Sequence, residues 1–192
     1  SKITYKALNI KKSKKIKIFN YKKNVGERNN MNFLLKKTKT EWFSWLADDD
    51  YFHEKFIEKL LYQLQTHKRS NPVACYSNYS RSKLHKFIKK KTSKVFQKEE
   101  FINGFSKKKI RLIGTFGLIK TKILKKVKGI HATGYSFKIN GKKTHHYPYC
   151  DTLIPILISN FGKIIWVDQK LVFLNTDQNS ISSFTKEYDV YK

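Results

Sequence analysis

The stretch Glu41-Trp42-Phe43-Ser44-Trp45-Leu46-Ala47-Asp48-Asp49-Asp50 sets an aromatic, apolar run directly against three adjacent carboxylates. From Glu41 to Ala47 the length and the aromatic content suit a strand on a half-buried pleated surface. Beyond the acids, Phe56, Ile57, Leu60, Leu61 and Leu64 recur at helical spacing, while Glu54, Lys55, Glu58 and Lys59 fill the opposite face. Strand, acidic loop and amphipathic helix in that order predict an α/β domain with a mostly parallel central sheet flanked by helices.

Upstream, residues 1–12 pattern as a helix with Ile3, Ala7, Leu8 and Ile10 on its apolar side, and Lys15 to Asn20 alternates like a short strand. Asn24-Val25-Gly26 is turn chemistry, and Asn29 to Lys37 is helical, with Met31, Leu34 and Leu35 facing inward. Downstream, Val73 to Tyr79 is a strand, Ile110 to Lys120 a strand or close-packed bend, and Thr121 to Val127 a short helix. Lysine-rich Lys83 to Ser93 reads as an insertion and Gly129 to Tyr147 as a loop. Asp151 to Phe161 patterns as a helix with Asp151 at its N-cap and Gly162 as its stop, followed by strands at Lys163–Val167 and Leu171–Leu174.

At 192 residues the chain is a single domain, able to bury on the order of 70% of its unfolded surface. Within it, residues 1–70 and residues 71–192 read as two parts, the second ending in a polar tail. No apolar run approaches the ~18 residues of a membrane span. Cys75 and Cys150 lack metal-ligand spacing, and without an export signal reduced thiols in a cytoplasm are expected. Forty-one Lys and Arg against fourteen Asp and Glu give a net charge of +27. A nucleic-acid binder would suit that charge. However, only Arg28, Arg69, Arg81 and Arg111 are arginines, the residue that grips phosphates bidentately, and the lysines are dispersed along the chain. Nucleic acid is therefore the weaker partner, and peripheral contact with an anionic membrane the milder expectation. A lysine-rich composition is also what an AT-rich genome produces.

Three adjacent carboxylates repel one another unless a cation sits among them. At the end of a strand in an α/β sheet, where ligands bind, a hard divalent cation would also take phosphate oxygens. The bland alternative is that the aspartates cap the following helix. Asn24 and Gly26 are open to two readings as well, a nucleotide-lining turn or a turn only. His145-His146 lacks a third ligand, and Trp166 or Tyr149 offers at most a ring for a sugar face.

The Asn24-Val25-Gly26 turn, Asn29 or Asn30, and Trp42 to Asp50 together resemble the central block of the family 2 glycosyltransferases of GT-A fold. Gly114-Thr115-Phe116-Gly117 through Val127 resembles that family's acceptor-side strand and helix. Asp151, ahead of a helix ending Asn160-Phe161-Gly162, stands where the family carries its catalytic Asp, and Asn179-Ser180-Ile181-Ser182 resembles the end of its domain. The likeness runs in order over roughly residues 1–185. It implies a GT-A-like, Rossmann-like sheet, a nucleotide-sugar bound by Asn24, Gly26, Asn29, Asp48 and Asp49, and Mn2+ or Mg2+ on Asp48 and Asp50. It also implies Asp151 as general base, inversion at the sugar, and a glycan or lipid-linked acceptor in bacterial surface polysaccharide synthesis at the inner face of the membrane. Ala47 departs from the family by replacing a residue that is often acidic. The family's two opening strands have no counterpart before Ser1, which implies an N-terminally truncated domain. An inactive truncated transferase is thus one alternative, and a metal-dependent nuclease using the same aspartates another.

Overall fold

The computed structural model of the chain describes residues 4, 11, 14–81, 92–131, 138–139, 142–143 and 150–175. In chain order these form α1 (Glu27–Lys37), β1 (Trp42–Phe43), β2 (Tyr51–Phe52), α2 (Phe56–Thr66), β3 (Pro72–Ser80) and β4 (Ser93–Phe96). There follow α3 (Lys98–Ser106), β5 (Gly117–Lys120), α4 (Thr121–Lys126), the hairpin β6 (Lys138–Ile139) and β7 (Lys142–Lys143), α5 (Cys150–Ile158) and β8 (Lys163–Phe173). All but residues 4 and 11 of the helix expected over 1–12, together with His145-His146, Tyr149 and Asn179 to Ser182, lie outside the described residues, as does most of the lysine-rich stretch from Lys83.

The main sheet has the order β1-β5-β3-β8-β2, with β4 also paired to β8. β3 and β8 are parallel, whereas β1–β5, β3–β5, β2–β8 and β4–β8 are antiparallel. The mostly parallel sheet expected from the α/β order is therefore corrected to a mixed one. The reason lies in the connections: β5 enters beside β3 from the opposite end, and β2 and β4 fold back on β8. Lys15 to Asn20 joins no ladder, and the strand expected over Glu41–Ala47 pairs only at Trp42 and Phe43.

Helices cover both faces of the sheet. On one side Leu35, Phe101, Leu124, Ile154 and Ile158 from four helices meet Ala74, Tyr76, Ile164 and Trp166. On the other, Phe56, Leu60 and Leu64 of α2 meet Cys75, Leu118, Ile165 and Val167. Consecutive residues of β3 and β8 thus serve opposite cores, as the period of two requires, and β3 is buried nearly throughout. Cys75 is a buried free thiol, and burial pushes its pKa well up, so it stays protonated and unreactive.

The two strands expected at Lys163–Val167 and Leu171–Leu174 are halves of one. Val167 pairs Ser77 while Lys170 pairs Asn78, so Asp168 and Gln169 bulge out. Asp168 accepts a hydrogen bond from Asn78 (3.0 Å), and buried Gln169 accepts one from the Lys59 ammonium (2.9 Å). The bulge divides the outer edge of β8: its first half carries β4 and its last residues carry β2.

Candidate active site

β1 leads into the acidic triplet at one end of the sheet. The buried Trp45 holds the approach, its backbone N–H donating to the Thr115 carbonyl (3.3 Å) and its indole N–H to the Met31 carbonyl (3.2 Å). Asp48 and Asp49 then form an exposed turn. On the far side Asp50 is half-buried, and its Oδ1 accepts from the Asn175 backbone N–H (2.9 Å) just past β8. Burial raises the Asp50 carboxyl above the ordinary aspartate range, the Asn175 hydrogen bond works against that, and repulsion from Asp49 and Asp48 adds to it. The turn is thus pinned at both flanks and presents two carboxylates at its apex.

These aspartates do not cap α2. The triplet is separated from that helix by β2, and the N-cap position, Lys55, makes no side-chain capping bond. Instead, the His53 carbonyl accepts from the Phe56 N–H (2.8 Å) and His53 Nδ1 accepts from the Lys55 N–H (3.0 Å). The capping explanation for three acids in a row is thereby removed.

Asp151 arrives at the same end of the sheet from the other half of the chain. It lies in the first turn of α5, one residue inside its start, and not at the N-cap expected for it. Its Oδ1 accepts from the Thr152 N–H (2.9 Å). Pro155 stands where the donor to the Asp151 carbonyl would be, and proline has no N–H to give. Gly114 occupies the vacated space. A Cβ on Gly114 would lie 1.6 Å from that carbonyl oxygen and 2.6 Å from Pro155 Cδ. The Tyr76 hydroxyl donates to the Gly114 carbonyl (3.1 Å), and full burial keeps that phenol protonated. Thr115, the next residue, is the partner of Trp45. Between Trp45 and Asp48 the chain can span at most about 10 Å. One run of contacts therefore connects the Asp151 turn with the triplet.

The turn before α1 is self-contained. Asn24 Oδ1 accepts from the Gly26 N–H (2.8 Å), Asn29 Nδ2 donates to the Val25 carbonyl (2.8 Å), and Gly26 sits at φ 78° ahead of the helix. Asn24 and Asn29 spend these groups on the turn itself. Asn32 lies one helical turn further on. Its amide donates to the Ile130 carbonyl (2.9 Å) and accepts from the Ile130 N–H (2.8 Å), clamping α1 to the loop after α4. The signal was available as an asparagine one turn beyond Asn29 on the same helical face. Trp166 is a core residue whose indole N–H donates to the Arg111 carbonyl (3.0 Å), not a ring for a sugar.

Among the described residues no three His, Cys, Asp or Glu side chains are grouped to hold a metal ion. The triplet is not a preassembled cage. The exposed Asp48 and the half-buried Asp50 offer carboxylate oxygens of the kind a hard divalent cation takes, but fewer than its full set of ligands.

No curated protein matches the chain. The family model described as Glycosyl transferase family 2 matches residues 3–128, from ahead of α1 through the triplet, β3 and β5 to the end of α4. With about two thirds of its length matched, and with its acidic turn pinned at the end of a mixed α/β sheet, the chain belongs to glycosyl transferase family 2.

Proposed function

We propose that this chain transfers a sugar from a nucleotide-diphosphate donor to a hydroxyl of a glycan or lipid-linked acceptor, with inversion, in bacterial surface polysaccharide synthesis. The observation that carries this is the exposed Asp48–Asp49 turn, held by Trp45 on one flank and Asp50 on the other, at the sheet end that Asp151 shares. Asp48 and Asp50 would hold Mn2+ or Mg2+, which would supply positive charge to offset that of the diphosphate leaving group. Asp48 and Asp49 face the donor, and Asn24, Gly26 and Asn29 shape the turn that flanks its nucleotide.

Asp151 acts on the acceptor as general base. The bond from the acceptor oxygen to the anomeric carbon forms as the bond to the phosphate oxygen breaks. The hydroxyl proton passes to the Asp151 carboxylate, and the electron pair leaves with the nucleoside diphosphate. Attack opposite the leaving group inverts the sugar's configuration.

The test is a thermal-shift screen of nucleotide-sugars with and without manganese, on the native chain and on Asp48→Asn and Asp50→Ala. A manganese-dependent shift with one class of donor, lost in both variants, is the expected result. A shift that both variants retain would remove the triplet from the site.

A further inference from the structure

The end of the sheet opposite the triplet carries a separate feature. There β1 begins and β5 ends, and between Thr38–Glu41 and Lys120–Lys125 opens a groove of about 510 Å3. A second hollow of about 280 Å3 adjoins it and shares Lys125. Lys39, Lys120, Lys122 and Lys125 line the first, and Lys36, Lys125 and Lys128 the second, with Glu41 as the one acid in either lining. The Lys125 ammonium donates to the Thr38 carbonyl (2.8 Å) and ties the two walls together, and Lys120 lies 5.7 Å from the Trp42 ring centroid. The remaining four lysines stand exposed. The catalytic proposal uses none of them.

An aromatic group sits on α1, the helix that also supplies Lys36 to the second hollow. Phe33 lies one turn before Lys36 and Lys37 on α1, and the Lys37 ammonium sits 5.4 Å from its ring centroid. Phe19 and Tyr21 pack edge-on against Phe33 at 5.2 and 5.5 Å, yet remain 41% and 40% exposed. Three rings packed on one another make an apolar knob. They do not make the row of separate platforms on which successive bases stack.

We infer that this lysine groove and its aromatic knob form a docking surface for an anionic lipid bilayer. Lysine is the suitable cation for such a surface. Its compact ammonium is drawn to many phosphates at once without needing bidentate geometry, and its long stem lets the charge reach headgroups while the methylenes stay on protein. A tyrosine ring prefers the headgroup level, and phenylalanine rings bury at the boundary just beneath it.

The experiment is vesicle co-sedimentation of the 192-residue chain with phosphatidylglycerol-containing and pure phosphatidylcholine vesicles, at low and high salt. Two variants of equal net charge are compared. One carries Lys36→Gln, Lys39→Gln, Lys122→Gln and Lys128→Gln; the other carries Lys94→Gln, Lys98→Gln, Lys107→Gln and Lys109→Gln, away from the groove. Each lysine near an anionic surface contributes about fivefold in partitioning, so the groove variant should lose on the order of a hundredfold or more while the second variant loses little. Circular dichroism confirms that both are folded. The inference is overturned if both variants lose binding equally, which would make it a property of total charge. It is also overturned if phosphatidylcholine binds as well as the anionic vesicles, or if the anionic vesicles are not bound at all. A groove-dependent binding of single-stranded oligonucleotide that excludes vesicles would overturn it in favour of nucleic acid.

Discussion

The backbone of Gly114 rests against the carbonyl of Asp151 so closely that a methyl group on the glycine would sit 1.6 Å from that oxygen. Gly114→Ala cannot be absorbed by rotating a side chain, because the obstacle is backbone. Either the first turn of α5 or the loop ahead of β5 must move. We expect a loss of about 1–3 kcal/mol in urea unfolding, together with a drop in turnover larger than any change in donor binding.

Asp151→Asn keeps an oxygen for the Thr152 N–H and removes only the proton acceptor. The expected loss in kcat is on the order of 10²–10⁴-fold, with the donor KM little changed. A variant that transfers sugar at the native rate would remove Asp151 from the mechanism.

Asp50 sets a pH dependence of stability. Burial first, then repulsion from Asp49 and Asp48, raises its folded-state pKa above the unfolded value, although Asn175 opposes the shift. The folded chain therefore holds this proton more tightly than the unfolded chain, and stability from this group falls as pH rises from the ordinary aspartate value through the raised one. Asp50→Asn retains an acceptor for the Asn175 N–H and abolishes that term. The variant should gain on the native chain as pH rises above the ordinary aspartate range in denaturant titrations, and manganese should narrow the gap by stabilising only the native protein.

Asn32→Ala strips the two Asn32 bonds from the buried Ile130 backbone, while the Ile130 carbonyl keeps the Arg28 Nε–H donor (3.2 Å). The Ile130 N–H is left without the acceptor given by Asn32 Oδ1, which costs about 1–3 kcal/mol. The loss should appear first as faster hydrogen exchange of the Ile130 amide.

Within α2 the two faces should separate cleanly. Leu60 is fully buried and Tyr62 is 63% exposed. Leu60→Ala is expected to cost about 2–5 kcal/mol, whereas Tyr62→Ala should stay within about 0.5 kcal/mol of the native chain. Equal effects on the urea midpoint would contradict the placement of α2 against the sheet.

Much of this arrangement is legible in the residues, and the remainder is not for identifiable reasons. The apolar spacing of Phe56, Leu60 and Leu64 placed α2, and the run ending at Ala47 placed the triplet at a sheet end. Both are local periodicities. Strand direction is not local. Whether β5 runs with or against β3 depends on where a chain segment far away returns, so the α/β order suggested parallel pairing where antiparallel pairing prevails. β2 is too short to show a period, and the bulge at Asp168–Gln169 looked like a break between two strands. At the site, Asn24-Val25-Gly26 is legible as a turn and Asn29 as part of the helix that follows it. The bonds from Asn32 to Ile130 and from Asp50 to Asn175 cross about 100 residues or more of sequence, 98 and 125 positions respectively, which no short motif records.

Pro155 has one more effect. Ile154 and Ile158 nail one part of α5 into the core, but the rung that would bind Asp151 to position 155 is missing. The helix thus has a seam. Peeling back its first turn breaks one hydrogen bond fewer than unwinding an unbroken helix, and it leaves the core contacts of Ile154 and Ile158 in place. The carboxylate proposed to receive the acceptor's proton rides on the loose side of that seam, with the Gly114 backbone as the stop it rests against.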